Sequence, residues 1–329
     1  MFRPDESARI TVENWATASL DTWQSAFWSL YGPVDRSFPL YDMMLQLVGD
    51  ATSLAEAVRK REYAEALPLM PRIFSWLSNM VAKVAVQNDR YHDLGDGKSL
   101  SDIVWNKYPC ICYTCGFERC DCILYDVDQE KDARGESEYE RELAREERKQ
   151  RQRHVVAEAQ QNHTKPVALD DWAIMFEKIY GGVNRTRTSA EKTFHFLEEV
   201  GEVEKELRAA DRMKAGAMPR HPLEWEDEIA DVFSWLMAVF LHVRGHLDRA
   251  NVFIGDYQRG LRIPPDRCAG QVPLPRFSEV VWAQFGDETV GLRCHRCHKT
   301  RCDMTITTDP GSIDNRQLPQ EKYLIPRRR

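Results

Sequence analysis

Long apolar runs are missing from this sequence. None approaches the roughly 20 residues needed to cross a bilayer, so no membrane-spanning helix is predicted. The opening stretch, MFRPDESARITVENW, lacks the basic-then-apolar layout of a secretory signal, which predicts a cytoplasmic protein. Positive charge is in short supply as well. Lys and Arg total 45 against 52 Asp and Glu, a net charge of −7, which argues against a general nucleic-acid binder with its basic surface. β-Branched alternating runs are scarce, so little sheet is expected. Nor are the nine cysteines spread as a disulfide framework would be: five fall in 110–122, three in 294–302, and Cys268 stands alone. Tight clusters in a reducing compartment point to metal rather than to disulfides.

What is present is written twice. DTWQSAFWSLYGPVDR (21–36) corresponds to DDWAIMFEKIYGGVNR (170–185), with Trp23 to Tyr31 spaced as Trp172 to Tyr180. LQLVGDATSLAEAVR (45–59) lies against LEEVGEVEKELRAAD (197–211), and IFSWL (73–77) against VFSWL (232–236). SDIVW (101–105) then matches SEVVW (278–282), and CYTCGFERCDC (112–122) matches CHRCHKTRCDM (294–304). Shared helical composition does not produce a repeated cysteine spacing, so an internal duplication is inferred. The 329 residues suffice for two domains, each with a core of its own.

Apolar residues at three- and four-residue steps predict helices over 38–60, 64–88, 187–213 and 224–248. Pro71 and Pro222 fall where a helix start tolerates proline. The charged run 128–161 reads as a solvated helix or linker without chemistry. The expected organisation is a degenerate helical repeat (1–108), a cysteine cluster (109–125), the linker (126–165), a complete helical repeat (166–260), and a C-terminal segment with the second cluster (261–329).

In HFLEEVGEVEKEL, Glu198 and Glu202 stack one helical turn apart with Glu199 beside them. In EWEDEIADVFSWL, Glu228 and Asp231 are three apart on one face, and antiparallel packing of the two helices would gather all five carboxylates. Left alone, such charges raise one another's pKa and oppose folding. Mg²⁺ or Mn²⁺, a hard cation that takes oxygen ligands and binds phosphate at the same time, resolves the conflict. The other copy has Gln46, Leu47, Asp50, Leu69 and Arg72 at these places, losing nearly the whole set together, as a site does and a solvated surface does not.

The pattern Glu-Glu-x-x-Glu, 25 residues, Glu-x-x-Asp resembles the MazG-like all-α nucleoside triphosphate pyrophosphohydrolases, fully over about 169–250 and in degraded form over about 20–108. The resemblance implies an all-α fold in which two helical repeats form a pseudo-dimeric four-helix-bundle arrangement. It also implies Mg²⁺-dependent cleavage of a nucleoside triphosphate between the α- and β-phosphates, giving a monophosphate and pyrophosphate. Carried over residue by residue, Glu198, Glu199, Glu202, Glu228 and Asp231 hold the cation, and Glu198 or Glu199 activates water. Arg185, Lys192 and Lys205 are the nearby candidates for the triphosphate, and Arg72 is the one cation standing where an acid is expected. Trp172 and Tyr180 recur in both copies, which favours a core role over base stacking.

Cys112, Cys115, Cys120 and Cys122 form two close pairs with Gly116 at the first turn, a set suited to a structural tetrahedral Zn²⁺, with Cys110 spare. The second cluster keeps Cys294, Cys297 and Cys302 but has Met304 in the fourth place, so His295, His298 or Cys268 must complete any zinc site. Two readings follow: a hydrolase with its active site in the C-terminal copy, or a nucleotide sensor or scaffold that binds without turnover while the zinc modules dock a partner. Pseudo-dimerisation within the chain either replaces or accompanies a true homodimer. The PRRR tail, a candidate nucleic-acid contact, is set against the acidic balance.

Overall fold

Ser19 and Ala168, corresponding positions in the two copies, pair in an isolated antiparallel bridge from which two helices leave. The computed structural model describes residues 2–5, 8–122, 138–216, 222–249 and 275–302. These are mostly helical. In chain order they form α1 (Leu20–Asp35), α2 (Leu40–Lys60), α3 (Tyr63–Ala66), α4 (Leu69–Val86), α5 (Asn88–Tyr91) and α6 (Leu100–Lys107). After the first cysteine cluster come α7 (Glu138–Asn162), α8 (Leu169–Thr186), α9 (Ser189–Lys214), α10 (Trp225–Arg249) and α11 (Phe277–Phe285). A two-stranded antiparallel hairpin, β1 (Gly286–Asp287) with β2 (Gly291–Leu292), leads into the second cluster. Among the described residues no helix is long and apolar enough to cross a membrane.

Local signals set the helix starts. Thr188 and Glu191 form a capping box on α9: the Thr188 hydroxyl accepts from the Glu191 N–H at 3.2 Å, and the Glu191 carboxylate accepts from the Thr188 N–H. Ser19 and Ser99 cap α1 and α6 in the same sense, at 3.0 and 3.1 Å. Pro71 sits in the first turn of α4, where its missing N–H costs no helical bond.

One continuous apolar core runs through both halves, rather than one core in each. Trp23, Phe27 and Phe74 from the first half are fully enclosed, as are Trp172, Phe233 and Phe240 from the second. Phe74 and Phe233, in the matching FSWL blocks, meet with ring centroids 6.1 Å apart. The physical reason is in the packing: α2 lies against both α4 and α9, and α10 against α9, α8 and α6. Each half thus buries faces it cannot cover alone. The charged run proves helical from Glu138, and at its end Val156 and Ala159 are buried against the rest. Gln160 also donates to the Trp105 carbonyl at 3.3 Å, so the end of α7 is held to α6.

Candidate functional site

Val200, Val203, Ile229 and Val232 are buried, which turns the neighbouring acids of α9 and α10 toward one another. The carboxylate oxygens of Glu199, Glu228 and Asp231 lie within 4.8 Å of one another, each residue half-buried. Of the five expected acids these three gather. Glu198 points outward with a side chain 64% exposed, accepting from or facing His195 Nδ1 at 3.2 Å. Glu202 accepts from Lys205 Nζ at 2.5 Å and remains close enough to Glu228 to oppose its ionisation. Burial, then the charges of Asp231 and Glu228, push Glu199 up to about 8. Burial, reinforced by Asp231 and Glu202 against the pull of Lys107, lifts Glu228 to about 7.

Two groups that the sequence reading passed over complete this cluster, and both come from the first half. Lys107, the last residue of α6, donates from Nζ to Asp231 Oδ2 at 2.7 Å and to the Asp227 carbonyl at 3.2 Å. The Tyr108 hydroxyl donates to Asp231 Oδ1. Burial works against the Lys107 ammonium, but Asp231, Asp227 and Glu228 outweigh it and its pKa is raised. A signal for them exists in the duplication. The corresponding residues of the other copy are Gln284 and Phe285, so the half that lost the acids is the one that carries the Lys–Tyr pair.

The expected phosphate ligands have other partners. Lys192 is buried and donates to the Arg187 carbonyl at 2.5 Å, with His242 Nδ1 at 3.5 Å. Arg185 pairs with Glu177 at 3.0 Å, and Lys205 with Glu202. Trp172 is fully enclosed, and Tyr180 stacks on Phe176, so both belong to the core as expected.

At the corresponding place in the first half, Leu47 is fully buried where α9 has Glu199. Arg72, in the place of Asp231, forms an ion pair with Asp50, in the place of Glu202. Burial raises the Asp50 pKa while Arg72 and Arg296 pull against it. Arg296, from the second cysteine cluster, reaches Gln46 Oε1 at 3.4 Å.

The thiols of Cys112, Cys115, Cys120 and Cys122 lie within 4.8 Å of one another. Cys112 and Cys122 are 3.6 Å apart, near the roughly 3.8 Å edge of a tetrahedron built on Zn–S bonds of about 2.3 Å. Four thiols in that arrangement fit a zinc ion; Cys110, half-buried, stands outside the set. The second cluster brings together Cys294, Cys297 and Cys302. Its turn repeats the first: Gly116 N–H donates to the Cys112 carbonyl at 2.8 Å, and His298 N–H to that of Cys294 at 2.8 Å. Both turn residues have positive φ, 75° for Gly116 and 58° for His298. His298 therefore serves the turn and is exposed, while His295 Nδ1 faces the Tyr31 hydroxyl at 3.1 Å. Neither histidine belongs to the thiol trio, and Cys268 and Met304 lie outside the described residues. Each cluster docks on the first helix of the other copy, Cys120 N–H on the Ile179 carbonyl at 2.7 Å and Cys302 N–H on that of Leu30 at 2.8 Å. No protein-family model, curated protein or solved structure matches the chain.

Proposed function

We propose that the chain is a Mg²⁺-dependent, MazG-like nucleoside triphosphate pyrophosphohydrolase, with two helical repeats arranged as a pseudo-dimeric bundle and its active site on α9 and α10. The observation that carries this reading is the meeting of Glu199, Glu228 and Asp231 from facing helices, with one cationic side chain, Lys107, between them and the other half. When ionised, the three half-buried carboxylates exceed the one ammonium in charge, and a hard divalent cation would favour that ionised state. Such a cation polarises the phosphoryl oxygens and balances the charge of the leaving pyrophosphate.

The protein's own groups then have distinct tasks. Lys107 and Tyr108 hold both oxygens of Asp231, which fixes its orientation toward Glu199 and Glu228. Glu199, which burial and the neighbouring Asp231 and Glu228 make more basic than an ordinary carboxyl, would be returned to its ionised form by a bound cation and could then accept a proton from the attacking water. Glu198 and Glu202 stand at the rim, where they contribute charge rather than an inner contact. Pyrophosphate release from a panel of ribo- and deoxynucleoside triphosphates, with and without Mg²⁺, tests the proposal. Turnover that requires Mg²⁺ and vanishes in Glu199→Gln supports it. Saturable nucleotide binding without turnover selects the second reading, a sensor. That reading is favoured by one contact: Lys107 already occupies Asp231 with a built-in cation.

A further inference from the structure

Tyr108, which donates to Asp231, lies only four positions before Cys112, the first thiol of the four-cysteine cluster. The link between them is stiff. Pro109 fixes its own φ, and Cys110 takes the left-handed region at φ 63°, donating its N–H to the Tyr108 carbonyl at 2.9 Å. Ile111 and Cys112 are buried. Side chains cross the same gap. The Tyr180 hydroxyl donates to Cys112 Sγ, and the Tyr180 ring meets the Tyr108 ring edge-on, with centroids 6.0 Å apart. Tyr113, the residue after Cys112, has its ring centroid 5.1 Å from the Lys107 ammonium. The two groups that hold Asp231 are therefore each braced by a residue tied to the thiols.

The duplicated chain supplies its own control. Tyr31 is the counterpart of Tyr180 and makes the same contact, donating to Cys294 Sγ of the second cluster. Beyond that contact the copies part. Phe285 stands in the place of Tyr108 and Gln284 in that of Lys107, so neither the hydroxyl nor the ammonium is there to be braced. From Phe285 to Cys294 is nine positions instead of four, and the hairpin of β1 and β2 takes up the difference. The short link thus occurs where a hydroxyl and an ammonium hold an acid cluster, and the spacer where they do not.

From this we infer that zinc at the first thiol cluster and a divalent cation at the acid cluster bind cooperatively, with Tyr180 as the positioning residue between the two sites. Zinc draws four thiolates into a tetrahedron, which fixes Cys112. Through Tyr180, Tyr113 and the short link, a fixed Cys112 steadies Tyr108 and Lys107 on Asp231. Asp231 is then held ready beside Glu199 and Glu228, and ordering it is not charged against the binding of the cation. Such coupling is reciprocal: the factor that zinc adds to the affinity of the cation is the factor that the cation adds to that of zinc. The inference rests on the reading of the acids as a divalent-cation site, and is separate from nucleotide turnover.

Titration of the full, zinc-loaded chain with Mn²⁺, without nucleotide and followed by the paramagnetic resonance of the free ion, tests it. Tyr180→Phe keeps the ring and removes the hydroxyl, and its affinity for Mn²⁺ should fall roughly fivefold or more. Tyr31→Phe, the same change at the other cluster, should leave that affinity unchanged. Cys115→Ser should lose one zinc equivalent and bind Mn²⁺ roughly tenfold more weakly or worse. In the other direction, saturating Mn²⁺ should tighten zinc binding against a competing chelator in the parent, and less in Tyr180→Phe. A tyrosine that serves only packing would not move that second readout. Should Cys115→Ser fail to fold, Tyr180→Phe and the chelator competition carry the test. Equal Mn²⁺ affinity in the parent and Tyr180→Phe overturns the inference and leaves the hydrolase reading standing, as do equal losses in Tyr180→Phe and Tyr31→Phe. Tighter Mn²⁺ binding in Cys115→Ser overturns it too, since Lys107 then competes with the cation. Absence of Mn²⁺ binding by the parent overturns both.

Discussion

Glu199 and Asp231 in one half, and Leu47 and Arg72 in the other, stand on corresponding turns of corresponding helices. Around the first pair, three carboxylates share one cluster, two of them lifted to about 7 and 8, and the balancing cation is borrowed from the other half. Around the second pair, a leucine fills the interior and the remaining acid is matched within its own half by Arg72. The backbone scaffold is alike and the electrostatics are opposite. Closing a like-charge cluster thus takes few changes: two acids become apolar, at Leu47 and Leu69, and the third becomes its neighbour's counterion, Arg72. The open version is costly to folding, and is sustained by the Lys107–Tyr108 contact from across the molecule.

The comparison can be broken hardest at Glu199. Glu199→Gln should lower Mg²⁺-dependent pyrophosphate release by roughly 10³-fold or more, in line with losing a group that acts in the transition state. The same change should raise the melting temperature, because a buried repelling acid is removed; a lowered melting temperature would show that Glu199 is stabilised by contacts other than those described. Next in size is the borrowed cation. Lys107→Met leaves Asp231 buried without its ammonium, and urea unfolding should show a loss of about 3–5 kcal/mol. In the closed site, by contrast, the double change Asp50→Leu with Arg72→Met removes both members of the pair. Its stability should stay within about 1 kcal/mol of the parent or exceed it, and pyrophosphate release should be unaffected.

The cysteine clusters extend the comparison. Cys120→Ser should reduce zinc content by one equivalent and weaken pyrophosphate release, since the loop after Tyr108 is the loop that carries the thiols. Unchanged zinc would refute the four-thiol site. The smallest expected effect concerns pH. Glu199 and Glu228 hold their protons more tightly folded than at their ordinary value of 4.5, so the folded state binds the extra protons. Their contribution to stability is present in acid and is lost as pH rises through about 7 and 8. Without divalent cations the melting temperature should fall by a few degrees between mildly acidic and mildly alkaline buffer, and added Mg²⁺ should remove the difference.

Much of this was legible beforehand, for stated reasons. Helical periodicity placed α2, α9 and α10 within a few residues, because an amphipathic helix must show its buried stripe in the sequence, but it ran α3 and α4 together across the break at Leu67 and Pro68. The four-thiol set was legible because its ligands are close in the chain. The acid set was half legible. Periodicity put Glu198, Glu199 and Glu202 near one face, but a helix turns about 100° per residue, and Glu198 rotates out to His195 while Glu199 rotates in. Lys192 misled because proximity in sequence says nothing of direction: its ammonium points to the Arg187 carbonyl.

By itself, then, the sequence determined the helical class, the clustered thiols and the apolar stripes beside which three of the five expected acids gather. Each is a short-range property, recorded in spacing along a single helix or loop. The tertiary structure decided that the two halves share one core, that Lys107 and Tyr108 of one half secure Asp231 of the other, and that each cysteine cluster rests on the opposite first helix. These contacts join residues far apart in the chain, and the direction in which packing turns each side chain is settled only when the facing helix is in place.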